Sequence, residues 1–244
     1  MKASLISYSQ APAPTDHNAL FENNPDLLEL VSYCARVSNP NNQMNNETAE
    51  KLVRYLVKHK HWSPLEMVSA CLEIETTRDI ARQILRHRSF SFQEFSQRYA
   101  DPTKDLSFVT REARLQDPKN RQNSIPLNLE DMGKGGEGSS MTKEERLAQT
   151  WYSKQRAVID TAREAYTWAI NNGIAKEQAR VVLPEGNTMS RMYVNGTLRS
   201  WVHYIELRSA NGTQKEHIDI AKACAKAIAE VFPMIDEYTG NDIV

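Results

Sequence analysis

Cysteine is scarce in this chain. Three among 244 residues, at positions 34, 71 and 224, are too few and too scattered for a disulfide scaffold. No Cys-x-x-Cys pair occurs, which excludes a thiolate metal site and points to a reducing compartment. Net charge is nearly absent: −1 overall excludes a protein that grips polyanions with its whole surface, so any nucleotide contact must come from a local basic patch. No window approaches the roughly 20 apolar residues of a membrane span, and Met1–Tyr8 carries no cleavage pattern. There is no internal repeat. Four of the nine glycines crowd between Gly133 and Gly138, but their spacing is not that of a phosphate-binding P-loop and no apolar strand precedes them. His59 and His61 lack a third ligand, so no metal site is expected. The expectation is a soluble, cytoplasmic chain of one domain spanning 1–244, with no membrane and no nucleic-acid partner.

What is present is a mixture of helical and strand patterns, an α+β fold with short antiparallel strands. Residues 3–8 alternate as a strand. Asn24-Pro25 reads as a cap opening a helix over 25–37, with Leu27, Leu28, Val31, Cys34 and Ala35 on one stripe. Ala49, Leu52, Val53, Leu56 and Val57 fall on one face of a second helix ending near Lys58-His59. Val68, Ala70, Leu72 and Ile74 alternate with polar residues as a half-buried strand. Thr76 with Asp79 reads as a cap for a helix to about Leu85, with Arg78, Arg82 and Arg86 along one basic edge. Residues 100–141 show little periodicity, and a mobile loop is expected at 112–141. Thr142 and Glu145 form a capping box for the longest helix, with Leu147, Trp151, Val158, Ala162, Ala165 and Ala169 as its stripe and Asn172-Gly173 as its end. A short helix from about Lys176, an extended segment over 187–195 and a helix over 197–208 follow. Thr213 with Glu216 is expected to cap the last helix, whose stripe is Ile218, Ala221, Ala225, Ile228 and Phe232.

Chemistry concentrates between Gln83 and Tyr99. Arg86, His87 and Arg88 stand in a row; seven residues later comes Ser96, then Arg98, with Glu94 inside the span. A guanidinium is a planar fork of donors that matches phosphate and carboxylate oxygens two at a time. Several such groups within a dozen residues repel one another unless an anion lies between them. The plain alternative is a solvated basic turn. Phe90, Phe92 and Phe95 suit a loop anchored in the core better than a stacking platform.

These residues resemble the motif of flavin-dependent thymidylate synthases: Arg86-His87-Arg88, seven residues, Ser96, with Ser91, Glu94, Arg98 and Tyr99 in place. Gln93 stands where the family more often shows Asn. His61, Pro64 and Glu66 are similar to a turn of that family, Ala179–Pro184 to a segment with a nucleotide-binding Arg, and 197–216 to its last functional stretch. Thr197 and His203 replace residues that are Asn in many members. The resemblance implies helices packed on a small antiparallel sheet, assembled as a homotetramer with active sites at subunit junctions. It implies methylation of dUMP to dTMP, with carbon from methylenetetrahydrofolate, a folate, and reducing equivalents from NADPH through FAD. Ser63, Arg86, His87, Arg88, Glu94, Thr197, Arg199 and His203 would then serve the cofactor. Gln83, Ile84, Leu85, Arg86, Glu94, Phe95, Ser96, Gln97, Arg98, Arg180 and Arg208 would serve the nucleotide, with Arg208 as the catalytic residue. Cys34, Cys71 and Cys224 are all expected on core faces, so no thiolate nucleophile is foreseen. The competing readings are a single-stranded nucleic-acid-binding module built on the basic edge and the phenylalanines, and an inactive member of the family.

Overall fold

The computed structural model describes residues 1–12, 21, 25–129 and 141–239. In chain order, β1 (Lys2–Tyr8) is followed by α1 (Leu27–Ala35), α2 (Ala49–Lys58), β2 (Ser69–Thr77) and α3 (Arg78–Ile84). Then come β3 (Ser91–Glu94), α4 (Pro102–Asp105), and the two short strands β4 (Arg114–Gln116) and β5 (Ser124–Pro126). The long α5 (Lys143–Asn171), α6 (Lys176–Ala179), β6 (Met189–Thr197), α7 (Leu198–Ser209) and α8 (Lys215–Ala229) complete the chain. The main sheet is antiparallel, in the order β1-β2-β6-β3.

Strand alternation decides which face of that sheet is dry. Ala70, Leu72 and Ile74 of β2 and Met192 of β6 are 0% exposed and lie with Trp201 and Ile205 of α7 and Ile220 and Cys224 of α8 in one core. Trp201 closes it with a polar tie as well, its Nε1 donating to the Ala70 carbonyl at 3.0 Å. A smaller core of Tyr166, Ala169, Ala179 and Leu183 joins α5 to α6.

Several expectations from the sequence are met. The capping box of Thr142 and Glu145 opens α5, and Gly173, at φ 76°, follows its end. The stripe of α2 is buried as expected at Ala49, Val53 and Leu56. Others are corrected. The cap of α1 is Asp26, boxed with Glu29, and the helix ends at Ala35. Asn24 lies outside the described residues, as do the glycines between 133 and 138. At α3 the cap position is Thr77, whose hydroxyl donates to Asp79 at 2.6 Å instead of Thr76 serving it. At α8 the cap position is Gln214, not Thr213. The buried face of α5 is Gln155, Ile159, Ala162, Tyr166 and Ala169, while Leu147, Trp151 and Val158 are exposed. Cys71 points to the sheet face opposite the core and is half-buried, as is Cys34; Cys224 alone is fully enclosed. Part of the stretch expected to be a structureless loop, 114–126, is a small antiparallel hairpin.

Candidate active site

Three side-chain groups are gathered around α3 and α7. The first forms where the turn at 61–66 packs against α7. Trp62 packs against His203 with ring centres 4.4 Å apart and planes tilted by 50°, and Glu66 pairs with Arg199. That packing brings Ser63, Arg199 and His203 onto one side of the molecule. Thr197 is the cap of α7, its hydroxyl accepting from the Ser200 amide at 3.3 Å. The Ser200 hydroxyl in turn donates to the Ser89 carbonyl at 3.2 Å, tying the Arg-His-Arg loop to the start of α7. Arg86 and Arg88 are exposed on that loop. This set of cationic and hydroxyl donors, on one face and partly free of competing partners, fits a flavin dinucleotide with its diphosphate.

The second group surrounds His87. Arg208, in the last turn of α7, donates from Nε to His87 Nε2 at 2.9 Å. Tyr204, one turn earlier, meets the imidazole edge to face at 5.0 Å. Burial first, then the nearby guanidinium groups of Arg208 and Arg86, hold the His87 pKa down at about 4. The ring is therefore a neutral acceptor at Nε2, with its proton on Nδ1. Behind it, Gln83 reaches Gln214 and the fully buried His217. Sequence reading passed over His217, Tyr204 and Gln214. The signal for His217 was its place on the apolar stripe of α8, at helical spacing before Ala221 and Cys224.

The third group lines a cleft of about 390 Å³ among Arg78, Arg82, Gln97, Glu177, Arg180 and Leu183. Arg98 pairs with the Glu177 carboxylate at 3.4 Å, and Arg180 donates to the Glu177 carbonyl at 3.3 Å. The Ser96 hydroxyl accepts from the Arg98 amide at 3.3 Å. Gln97 is buried with its Nε2 lacking a partner among the described residues. An amide donor and two guanidinium groups at one concavity suit a phosphate.

Not every expected site residue is presented. Ile84 is 1% exposed and Leu85 packs on the core, so their side chains are spent on packing. Phe90 is a core residue, Phe92 packs half-buried against that core, Phe95 is half-buried, and Tyr99 is exposed. Glu94 is held between Ser190, at 2.7 Å, and the buried Arg78, at 3.3 Å. The expected basic edge of α3 is largely neutralised: Arg78 by Glu94 and Arg82 by Glu185 at 2.6 Å. Arg86, the third member of that edge, stays exposed. Among the described residues no cluster of three metal-capable side chains occurs, and no helix is long and apolar enough to cross a membrane.

His217 gives the site a pH signature. Burial, followed by the charge of Arg208 and the neighbouring His87, lowers its pKa from 6.5 to about 3. Between those values the unfolded chain binds a proton that the folded chain refuses, so stability falls as pH falls. The melting temperature is expected to decline from about pH 6.5 downward, and less steeply in a His217→Asn variant, as checked by calorimetry across pH. Equal slopes in both proteins would remove His217 from the account.

Comparison with known proteins gives a consistent picture. Residues 19–234 match the family model described as thymidylate synthase complementing protein. A probable flavin-dependent thymidylate synthase of Paramecium bursaria Chlorella virus 1 is 48% identical over 208 residues, 85% of this chain and 88% of its own length. A flavin-dependent thymidylate synthase of Synechocystis is 46% identical over 207 residues, 84% of this chain and 86% of its own. Among solved structures, a UMP/dUMP methylase from Streptomyces cacaoi, bound with 5-Br dUMP, superposes with a TM-score of 0.71 at 24% identity, covering 97% of this chain and 93% of its own. That last likeness concerns the fold.

Proposed function

The chain belongs to the flavin-dependent thymidylate synthase family, and from that premise we propose that it methylates dUMP to dTMP with FAD as cofactor, methylenetetrahydrofolate as carbon donor and NADPH as reductant. The flavin, when bound, supplies the hydride chemistry. The protein's part is to hold the reactants and to stabilise charge on the pyrimidine.

The Arg208–His87 pair carries this reading. Carbon transfer to the pyrimidine needs its ring made nucleophilic, by loss of the N3 proton or by stabilisation of the developing enolate oxygen. Arg208 spends its Nε on neutral His87 and keeps the two terminal nitrogens of its fork for that edge of the base. A guanidinium does this without taking the proton itself. Arg98, Arg180, Ser96 and Gln97 suit the 5′-phosphate. Ile84 and Leu85 can reach the nucleotide only through main-chain atoms, and Glu94, tied to Ser190 and Arg78, suits a sugar hydroxyl or a guanidinium brought by a neighbour. Ser63, Arg86, His87, Arg88, Thr197, Arg199 and His203 fit the flavin.

Cysteine has no part in this scheme. Burial raises the pKa of Cys34, Cys71 and Cys224 alike, which keeps them as thiols. A folded variant carrying Cys34→Ser, Cys71→Ser and Cys224→Ala is expected to retain turnover within a factor of about three, since no thiolate attack is lost. A dead but well-folded variant would argue for thiolate attack.

A homotetramer with shared sites accords with the arrangement. The nucleotide-suited groups sit in two places on one chain, one around His87 and one at the Glu177 cleft, and α5 exposes Leu147, Trp151, Val158 and Trp168. A sedimented mass of one subunit would end that part of the proposal. The decisive measurement for function is the absorbance spectrum of the purified protein with and without dUMP. A yellow protein whose flavin bands move on adding dUMP is expected; a colourless protein indifferent to added FAD and dUMP would overturn the reading.

A further inference from the structure

We infer that His217 is a positioning residue for nucleotide binding: it is one link in a hydrogen-bond chain of fixed direction that locks the side-chain amide of Gln83 with an N–H available to an acceptor oxygen of the nucleotide. The inference deepens the proposed function and rests on dUMP being the substrate.

The direction of the chain is set at one end by a carboxylate. Glu216 accepts from Gln214 Nε2 at 2.9 Å, so the Gln214 amide must turn its oxygen the other way. That oxygen accepts from Gln83 Nε2 at 3.0 Å. Gln83 therefore turns its own oxygen toward His217, whose Nδ1 lies 3.2 Å away. Two acceptors cannot share a hydrogen bond, so Nδ1 carries the proton and His217 Nε2 is bare. Tyr204 lies 3.1 Å from Nε2 and must donate its hydroxyl proton there. The order of donation is Tyr204 to His217 to Gln83 to Gln214 to Glu216. No link can reverse without leaving two donors or two acceptors face to face.

Burial makes that order costly to break. His217 is 0% exposed and Tyr204 1%. A buried polar group left without its partner is costly, because no water replaces the lost bond. Burial also disfavours the imidazolium, which would place a second donor against Tyr204. Gln83 is half-buried, as are Gln214 and Glu216, and its second amide N–H has no partner among the described contacts. An unrestrained glutamine could offer either end of its amide; this one offers a donor. The chain also runs beneath His87, since the Tyr204 ring packs against that imidazole.

The test uses the full-length holoprotein, with dUMP binding measured by calorimetry and steady-state kinetics run alongside. His217→Leu is expected to weaken dUMP binding roughly tenfold, the scale of one lost neutral hydrogen bond, as a raised KM with kcat little changed. Gln83→Ala is expected to cost about as much, and the double variant no more than either alone, because both remove the same contact. His217→Asn, whose amide can still donate toward Gln83, is expected to recover most of the loss. Should His217→Leu fail to fold, Tyr204→Phe and the nitrogen-15 spectrum of His217 decide. Neutral imidazole protonated at Nδ1 supports the chain, and protonation at Nε2 overturns it. Multiplicative losses in the double variant, or wild-type affinity in His217→Leu, also overturn it. A wild-type holoprotein that binds no dUMP at all defeats the functional reading itself; wild-type binding with an indifferent His217 defeats only this inference.

Discussion

Arg208→Ala is expected to yield a folded, yellow protein whose methylation of dUMP is lowered by about 10²–10³ in kcat, the scale for removing a preorganised donor from a developing oxyanion. The residue stands in the last turn of α7 and donates from Nε to His87 at 2.9 Å. It lies outside the main core, and of the residues fitted to the flavin its hydrogen bond reaches His87 alone, so flavin retention is expected to survive its loss. Arg208→Lys should recover little, because an ammonium is a point charge that cannot both hold His87 and present a fork to the base. The variant carries a second readout. Burial is the larger cause of the depressed His87 pKa and Arg208 the next. Removing Arg208 should let that pKa rise from about 4 toward 6.5, visible in the imidazole NMR titration. Turnover within tenfold of wild type would withdraw the catalytic assignment.

Gly196→Ala is expected to be the most damaging single methyl in the sheet. An added Cβ would stand 2.5 Å from Phe90 Cε1 and closer still to Cδ1, with Ser200 Cβ at 3.3 Å. The Phe90 ring has nowhere easy to go. It packs on Trp201 at 4.7 Å, Tyr204 at 5.9 Å and Phe92 at 6.2 Å, and Trp201 is itself 0% exposed. Overpacking of this kind costs about 1–3 kcal/mol. Taking the upper end, a drop of roughly 10 °C in melting temperature follows for a chain of this size. Because Phe90 directly follows the Arg-His-Arg loop, flavin and nucleotide binding should weaken together with stability. Phe90→Val in the same background is expected to restore part of both. A melting temperature unchanged by Gly196→Ala would mean the ring moves aside freely.

Where the pattern in the sequence was periodic and capped, the fold was readable. The alternation of Ala70, Leu72 and Ile74, the stripe of α2 and the box of Thr142 and Glu145 all appear as expected. The phase of α5 was not readable, for a physical reason: its inward face includes Gln155 and Tyr166, while Trp151 and Val158 look outward. Gln155 is inward because its amide both accepts from and donates to the main chain of Arg111, at 2.8 Å each way. A polar residue satisfied by a partner 44 positions away leaves no mark in local composition. The hairpin at 114–126 escaped notice because three-residue strands are too short to show alternation. The candidate site divides in the same way. The dense motif at 83–99 announced itself through residue type, whereas His217, Tyr204 and Gln214 are joined to it only by the tertiary fold. Cys71 was misplaced by its residue type: the alternation of β2 already sets it with Ser69, Glu73 and Glu75, opposite Ala70, Leu72 and Ile74.

Glu177 has a consequence for how the protein behaves between turnovers. Its carboxylate neutralises Arg98 and its carbonyl engages Arg180, so an empty cleft carries its own counter-ion and does not repel itself apart. The ion pair is about half exposed, 56% and 49% for its two side chains, and such pairs are worth about 0–1 kcal/mol. On the proposed placement of the 5′-phosphate, an incoming dianion would evict a tenant that leaves at little cost, while a nucleoside lacking its phosphate would have nothing with which to displace it.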